Sequence, residues 1–146
     1  MNRRSFLKLP TLLPLIDFGS AFRSESHHFQ YEAVIGTSMD LIVCSPSSRA
    51  AEGACQTIRE EIDRLALILD TRDPGSEISL LEGSNDPRHA SRELTDVLNA
   101  YDYWERQTGG VFSIRPAGVA APRNVDALGK AYIIDRAAAA AIKAWP

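Results

Sequence analysis

The chain has 146 residues, of which 45% are hydrophobic and 24% charged, and its formal net charge is −3. This composition is typical of a single globular domain and excludes a wholly disordered chain. An acidic net charge without a basic stripe beyond the first residues argues against a nucleic-acid-binding protein. A phosphate-rich ligand would therefore have to be held by local donors or by a divalent cation.

The N-terminal residues are typical of an export signal. Segment 2–8 (NRRSFLK) resembles a twin-arginine signal, and the apolar stretch 9–22 after it is too short to span a bilayer as a helix. We predict a leader over residues 1–28 and a folded domain over residues 29–146. The protein would be exported to the periplasm, or anchored to the membrane by an uncleaved leader. A leader in which the arginine pair is accidental is the alternative.

The first half of the predicted domain contains a hairpin and a helix. Residues 29–45 alternate in polarity and then form an apolar run, which predicts two short strands around a turn at Gly36-Thr37-Ser38. Apolar residues at three- and four-residue steps predict a helix over 49–69. Pro74 and Gly75 end this pattern. Residues 76–81 fit either a short helix or a turn.

The second half contains two further helices. After a polar linker at 82–90, Ser91 is the predicted N-cap of a helix that ends at Gly109-Gly110. Residues 111–114 are a candidate strand, and 115–123 an irregular loop. A loop carrying Asp126 and Lys130 then leads into a helix over 132–143. The predicted fold class is therefore α+β, with short antiparallel strands packed on about three helices whose apolar faces form the core.

The cysteines and histidines do not form a recognisable metal or redox motif. Cys44 and Cys55 have no such spacing, and two buried free thiols or, in an exported protein, a disulfide both fit them. Neither the histidines at 27 and 28 nor His89 is placed as a convincing metal ligand.

Four segments combine residue types that suit a nucleotide site. A tight turn at 36–39 places backbone near a methionine, and Arg72 follows the first helix. Adjacent glycines precede Val111, and a lysine lies near a helix start. Each also has an ordinary structural reading, as a hairpin turn, a capped turn, a helix C-cap or solvated charges. The metal or phosphate partners among them would be Asp126, Lys130 and Asp135.

Taken in order, these segments resemble the FAD:protein FMN transferases, the ApbE family of flavin transferases. The matching pieces are GTSMD at 36–40, EIDRL at 61–65, DPGSEIS at 73–79, SREL at 91–94, TGGVF at 108–112 and DALGKAYIIDRA at 126–137. The likeness covers most of the chain after the leader. It rests on the order and combination of the motifs.

The resemblance implies a partial ApbE-like fold that binds FAD and Mg²⁺ and transfers FMN to a Thr or Ser hydroxyl of a target flavoprotein. No catalytic residue is assigned. Met39 would pack on the flavin ring, and Lys130 would meet the phosphates. Ala127 would offer a backbone oxygen to the metal. The remaining cofactor-binding positions that the resemblance implies are Arg72, Val111, Phe112, Ser113, Asn124 and Asp126.

The chain departs from the family pattern at several of these positions. Arg72 stands in place of a tyrosine, Ser113 in place of an acid or amide, and Asn124 in place of an aspartate. The connection between the glycine pair and Lys130 is short, so the chain is expected to be a truncated and internally shortened member. A catalytically inactive remnant that binds flavin weakly or packs against a partner is the alternative. A small secreted structural domain unrelated to flavins is a third.

Overall fold

The computed structural model describes residues 24–84, 90–116 and 121–145. Its elements in chain order are strands β1 (Glu25–Val34) and β2 (Thr37–Ser45) and helices α1 (Ser48–Leu69), α2 (Glu77–Ser84), α3 (Arg92–Gln107) and α4 (Asp126–Ala144). Two antiparallel strands with four helices confirm the α+β class. The short α2 resolves the choice left open at 76–81 in favour of a helix.

β1 begins at Glu25, earlier than the predicted start at Phe29, because its pairing with β2 continues to Glu25 opposite Ser45. Four residues assigned to the leader therefore belong to a strand. Residues 1–23 of the predicted leader lie outside the described part of the chain.

The hairpin packs one face on α1. Alternate β2 residues Met39, Leu41 and Val43 point inward, while their neighbours are exposed. The turn consists of Ile35 and Gly36, with φ angles of 48° and 70°, and Thr37 already belongs to β2. The predicted turn at 36–38 was therefore placed one residue too late. Two successive positive φ values are what a two-residue hairpin loop requires.

The core lies around α1. The side chain of Ser47 accepts a hydrogen bond from the amide of Ala50 at 3.2 Å and caps the helix. The buried face of α1 runs from Ala51 to Leu69 and contacts the hairpin, α3 and α4. Leu65, Leu94 and Ile133 are among the fully buried side chains of this core. These helix faces were correctly predicted as core.

α4 begins at Asp126, whereas the sequence predicted a loop up to about residue 131. The cause is tertiary packing at Gly129. A Cβ at this buried glycine would lie 3.7 Å from Cγ2 of Val125 and 3.9 Å from Cβ of Leu69. The first turn of α4 therefore lies close to the end of α1, and this contact outweighs the low helix propensity of glycine. Asp126, Ala127 and Lys130 are helical residues.

Residues 111–114 do not form a strand. Gly109 and Gly110 have φ angles of 59° and 85°, and the amide of Phe112 donates to Oγ1 of Thr108 at 2.9 Å. The segment is thus folded back onto the end of α3 by local hydrogen bonds, and its apolar residues gave a misleading strand pattern.

Both cysteines are free thiols, but only Cys55 is buried, so the prediction of two buried thiols was wrong for Cys44. Alternation along β2 places Cys44 on its exposed face. None of the helices among the described residues combines the length and apolar composition that a bilayer-spanning helix needs.

Candidate functional site

Arg72 lies against the hairpin turn. A Cβ built on Gly36 would lie 1.2 Å from Nη1 of Arg72, so the guanidinium occupies the space that any other side chain would need. Nε of Arg72 donates to Oδ1 of Asp70 at 2.9 Å, and the same oxygen accepts from the Arg72 amide at 3.0 Å. The turn at 35–36 and the end of α1 are thereby brought together around one exposed cation.

The start of α4 joins the same region. Oγ1 of Thr71 donates to Oδ1 of Asp126 at 2.9 Å, across a large sequence separation. Burial alone would raise the pKa of Asp70, but the hydrogen bonds from Arg72 and the charge of Lys130 outweigh it and lower that pKa. The hydrogen bond that Arg72 donates to Asp70 and the charge of Asp126 both raise the pKa of Arg72. The charges of Arg72 and Lys130 thus both act on the carboxylate of Asp70.

Two amides of the first turn of α4 are already hydrogen-bonded to side chains of the protein. Oδ1 of Asn124 accepts from the amide of Asp126 at 2.9 Å, and the Tyr101 hydroxyl accepts from the amide of Leu128 at 3.3 Å. Val125, at the N-cap, has no capping side-chain atom. These bonds replace the missing cap. A phosphate here would therefore be held by the side chains of Arg72 and Lys130 rather than by the helix amides.

Phe112 lies near this helix start through its contact with Tyr101, Ser113 makes a local contact in the same loop, and Val111 is exposed. The ring of Phe112 stacks on Tyr101 with centroids 5.2 Å apart and planes inclined by 14°. Oγ of Ser113 accepts from the Arg115 amide at 3.1 Å. The side chain of Val111 is 90% exposed. The flavin roles of all three stay predictions.

Two clefts lie beside the Arg72–Asp70 pair. One, of about 310 Å³, is lined by Thr71, Arg72 and Ile78 together with Glu82 and Arg123. The other, of about 200 Å³, lies between the hairpin and α1. Its lining includes Met39, Ile35, Arg59 and Asp70. Met39, predicted to contact the flavin ring, is half-buried and packs on the core, so its position fits both the predicted role and an ordinary core role.

The arrangement offers too few oxygen ligands for a complete magnesium shell. Mg²⁺ takes near-octahedral oxygen coordination. In the described residues, no three His, Cys, Asp or Glu side chains form a group that could hold a metal ion. Asp70 and Asp126 already accept hydrogen bonds from Arg72 and Thr71. The carbonyl of Ala127 belongs to α4, where carbonyls accept the amide four residues later.

The structure thus brings Arg72, Asp126 and Lys130 together. Asn124 joins them because its side chain accepts a hydrogen bond from the Asp126 amide. Phe112 reaches the same helix start through Tyr101, and Asp135 lies further along α4 as an exposed residue. Sequence reasoning missed Thr71 and the capping role of Tyr101. Tyr101 lies on the apolar face of the predicted second long helix, which we expected to be core, and this spacing carries no signal of a hydroxyl contact with a distant helix.

Fold and site together define an α+β domain with a charged, partly open surface where the ends of two helices meet a hairpin turn. A family model described as the ApbE family matches residues 35–122, more than half of the chain. The chain therefore belongs to the ApbE family, in a partial form. The match includes Met39, Arg72 and Val111 to Ser113, and it ends before Asn124, Asp126 and Lys130. No curated protein and no solved structure gives a significant match.

Proposed function

We propose that this chain is a flavin transferase that takes FMN from FAD and attaches it to a Ser or Thr hydroxyl of a target flavoprotein. Membership of the ApbE family supports flavin transfer in general. The substrate FAD, the accompanying Mg²⁺ and the target protein are part of the proposal.

The observation that carries the proposal is the convergence of Arg72 and Lys130 at the meeting point of α1 and α4. The two residues are far apart in the sequence, yet Arg72 donates a hydrogen bond to Asp70 and the charge of Lys130 acts on the same carboxylate. A pyrophosphate is a dianion or more at neutral pH, and side-chain cations are suited to hold it. The flanking clefts would receive the rest of the dinucleotide.

The proposed reaction balances without an oxidant or reductant. The acceptor hydroxyl oxygen forms a bond to the phosphorus nearer the flavin, and the bond from that phosphorus to the bridging oxygen breaks. AMP leaves with the bridging oxygen, and the hydroxyl proton passes to solvent. The role of Arg72 and Lys130 is to position the phosphates. No step is assigned to a metal, because the described side chains alone do not complete a shell for Mg²⁺, and the FAD phosphates and water would have to supply the remaining oxygen ligands.

The second candidate function is flavin binding without transfer. The observation that favours it is the small number of oxygen ligands that the site offers to a metal. Asp70 and Asp126 are the two carboxylates beside the cations, and both already accept hydrogen bonds. Such a protein would bind FAD weakly, or pack against a partner.

One experiment separates these functions. The purified full chain is titrated with FAD, then incubated with FAD, Mg²⁺ and an acceptor domain and run on a denaturing gel. Flavin fluorescence on the acceptor band supports the transferase. Saturable FAD binding without a fluorescent band supports the binding-only function, and absence of both rejects flavin transfer and flavin binding and leaves only packing against a partner. Arg72→Gln should weaken FAD binding, whereas Arg49→Gln, an exposed arginine at the other end of α1, is the matched control.

We further propose that the protein is exported through its twin-arginine-like leader. The support is the sequence alone, since residues 1–23 lie outside the described part of the chain. Replacing Arg3 and Arg4 by lysine in a reporter fusion should retain the reporter in the cytoplasm. Export that is unaffected by this double substitution would contradict the proposal.

A further inference from the structure

The cleft of about 310 Å³ beside Arg72 contains a second arginine, Arg123. Its charged lining consists of these two guanidinium groups and the carboxylate of Glu82, so positive charge is in excess there. Such a lining, in a chain whose formal net charge is −3, favours an anionic ligand. Ligand pockets measure roughly 300–1,000 Å³, and the volume of this one suits one half of a dinucleotide. We call this space the Arg72–Arg123 cleft.

Ion pairs hold Arg123 at this cleft. Its Nη1 donates to the Glu82 carboxylate of α2 at 2.7 Å, and its side chain is 20% exposed. Arg115 donates to the same carboxylate at 2.9 Å and also to the carbonyl of Ala121, two residues before Arg123. The segment that carries Arg123 is therefore tied to α2 at two points. A cation whose position is already fixed loses little side-chain entropy when it binds a ligand.

We propose that Arg123 is a phosphate-binding residue and that the Arg72–Arg123 cleft takes the AMP half of FAD. This inference rests on the proposed flavin transfer, in which AMP is the leaving group. When the bond between the bridging oxygen and the phosphorus nearer the flavin breaks, that oxygen stays on AMP, so negative charge grows on the AMP phosphate. Guanidinium groups match phosphate oxygens in geometry and charge, and two of them would hold this phosphate.

The Arg72–Asp70 pair lies between the two clefts. Arg72 lines the Arg72–Arg123 cleft, Asp70 lines the cleft between the hairpin and α1, and the two side chains are hydrogen-bonded to each other. A dinucleotide whose pyrophosphate lies at Arg72 can therefore place one half in each cleft. Met39, the residue expected at the flavin ring, lines the second cleft.

The charges of the two linings decide which half enters which cleft. The charged lining of the second cleft consists of three carboxylates and one arginine, namely Glu32, Asp63, Asp70 and Arg59. Such a lining repels the phosphate of AMP but not an uncharged flavin ring. The Arg72–Arg123 cleft has the opposite excess, and Thr71 and Ser79 in its lining carry hydroxyl groups. The AMP half is therefore assigned to the Arg72–Arg123 cleft.

Calorimetric titration of the full chain with AMP, without FAD, tests the proposal. We expect saturable binding to the wild-type protein. Arg123→Gln should raise the dissociation constant of AMP about tenfold or more, because a charged phosphate contact is lost. Arg115→Gln is the matched control, since Arg115 pairs with the same carboxylate but is not among the side chains that line the cleft. It should bind AMP nearly as tightly as wild type. Circular dichroism shows that each variant folds.

A parallel titration with FMN distinguishes the two halves of FAD, since FMN also ends in a phosphate. Arg123→Gln should leave the response to FMN as it is in the wild-type protein. The assignment is overturned if Arg123→Gln weakens FMN instead of AMP, or if Arg115→Gln weakens AMP as much as Arg123→Gln does. Wild-type protein that binds FAD but not AMP overturns this inference alone, whereas protein that binds neither overturns the proposed function with it.

Discussion

Ile35 and Gly36 show how two single residues shape the surface beside Arg72. Both have positive φ angles, which glycine adopts readily and a β-branched residue adopts rarely. Ile35 accepts this conformation while its side chain packs against the core and lines the cleft next to Met39. Gly36 leaves the space that the guanidinium of Arg72 fills. The turn therefore serves the site as well as the hairpin.

Replacing Gly36 by alanine should destabilise the protein and displace Arg72. The left-handed conformation costs about 1–2 kcal/mol for a residue with a side chain, and the new Cβ would overlap Nη1 of Arg72. Denaturant unfolding measures the loss. Gly53→Ala is the control, because Gly53 lies within α1 where a Cβ would meet open space, and this change should stabilise by roughly 0.5–1 kcal/mol. Equal effects of the two changes would contradict this account.

The elements differ in how far their sequences determine them. The alternation before the turn, the apolar spacing of α1 and the Ser91 cap of α3 are local signals, and they predicted these elements well. The start of α4 was missed because it depends on Leu69 and Tyr101, which are distant in the chain. Likewise, residues 111–114 have a strand-like composition, but a strand also needs a partner that composition does not reveal.

The hydroxyl of Tyr101 should stabilise the first turn of α4. Tyr101→Phe leaves the amide of Leu128 without that acceptor, which should cost about 1–2 kcal/mol in the free energy of unfolding. Hydrogen exchange should accelerate at the amides near residue 128 before it does elsewhere. Tyr103→Phe, at an exposed position of the same helix, should change stability by less than about 0.5 kcal/mol. If the two substitutions cost the same, the cap has no special role.

At the scale of the whole molecule, Glu82 ties the segment after α3 to the rest of the chain. Its carboxylate accepts from Arg115 at 2.9 Å and from Arg123 at 2.7 Å, and Arg115 also donates to the carbonyl of Ala121. Burial alone would raise the pKa of Glu82, but these two arginines outweigh it and lower that pKa. A lowered pKa in the folded state means that the charged form is the stabilising one.

The contribution of Glu82 to the free energy of unfolding should therefore depend on pH. It is present above the unfolded-state pKa of about 4.3 and is lost as the pH falls through the lower folded-state pKa. Glu82→Gln should cost about 1–3 kcal/mol at neutral pH and much less in acid, as measured by unfolding at several pH values. Glu52→Gln, at an exposed residue of α1, is the matched control and should change the free energy of unfolding by less than about 0.5 kcal/mol. A Glu82→Gln cost that does not change with pH would contradict the ion-pair explanation.

The candidate site was predictable in its parts but not in its arrangement. The order of motifs indicated the family and singled out Arg72 and Lys130. Their meeting depends on how α4 packs along α1, and the use of the α4 amides by Asn124 and Tyr101 follows from that packing too. The sequence therefore singled out a lysine near a helix start, whereas its proximity to Arg72 around Asp70 is visible only in the structure.

The measurement that tests this cationic site most directly is an FAD titration of wild-type protein, Lys130→Gln and Arg106→Gln, followed by flavin fluorescence. Both variants lose one positive charge, but Arg106 is exposed in the last turn of α3. Losing a charged phosphate contact should weaken FAD binding by about tenfold or more in Lys130→Gln, while Arg106→Gln binds like wild type. Wild-type protein that does not bind FAD, or Lys130→Gln that binds it as tightly as wild type, would contradict the proposed site.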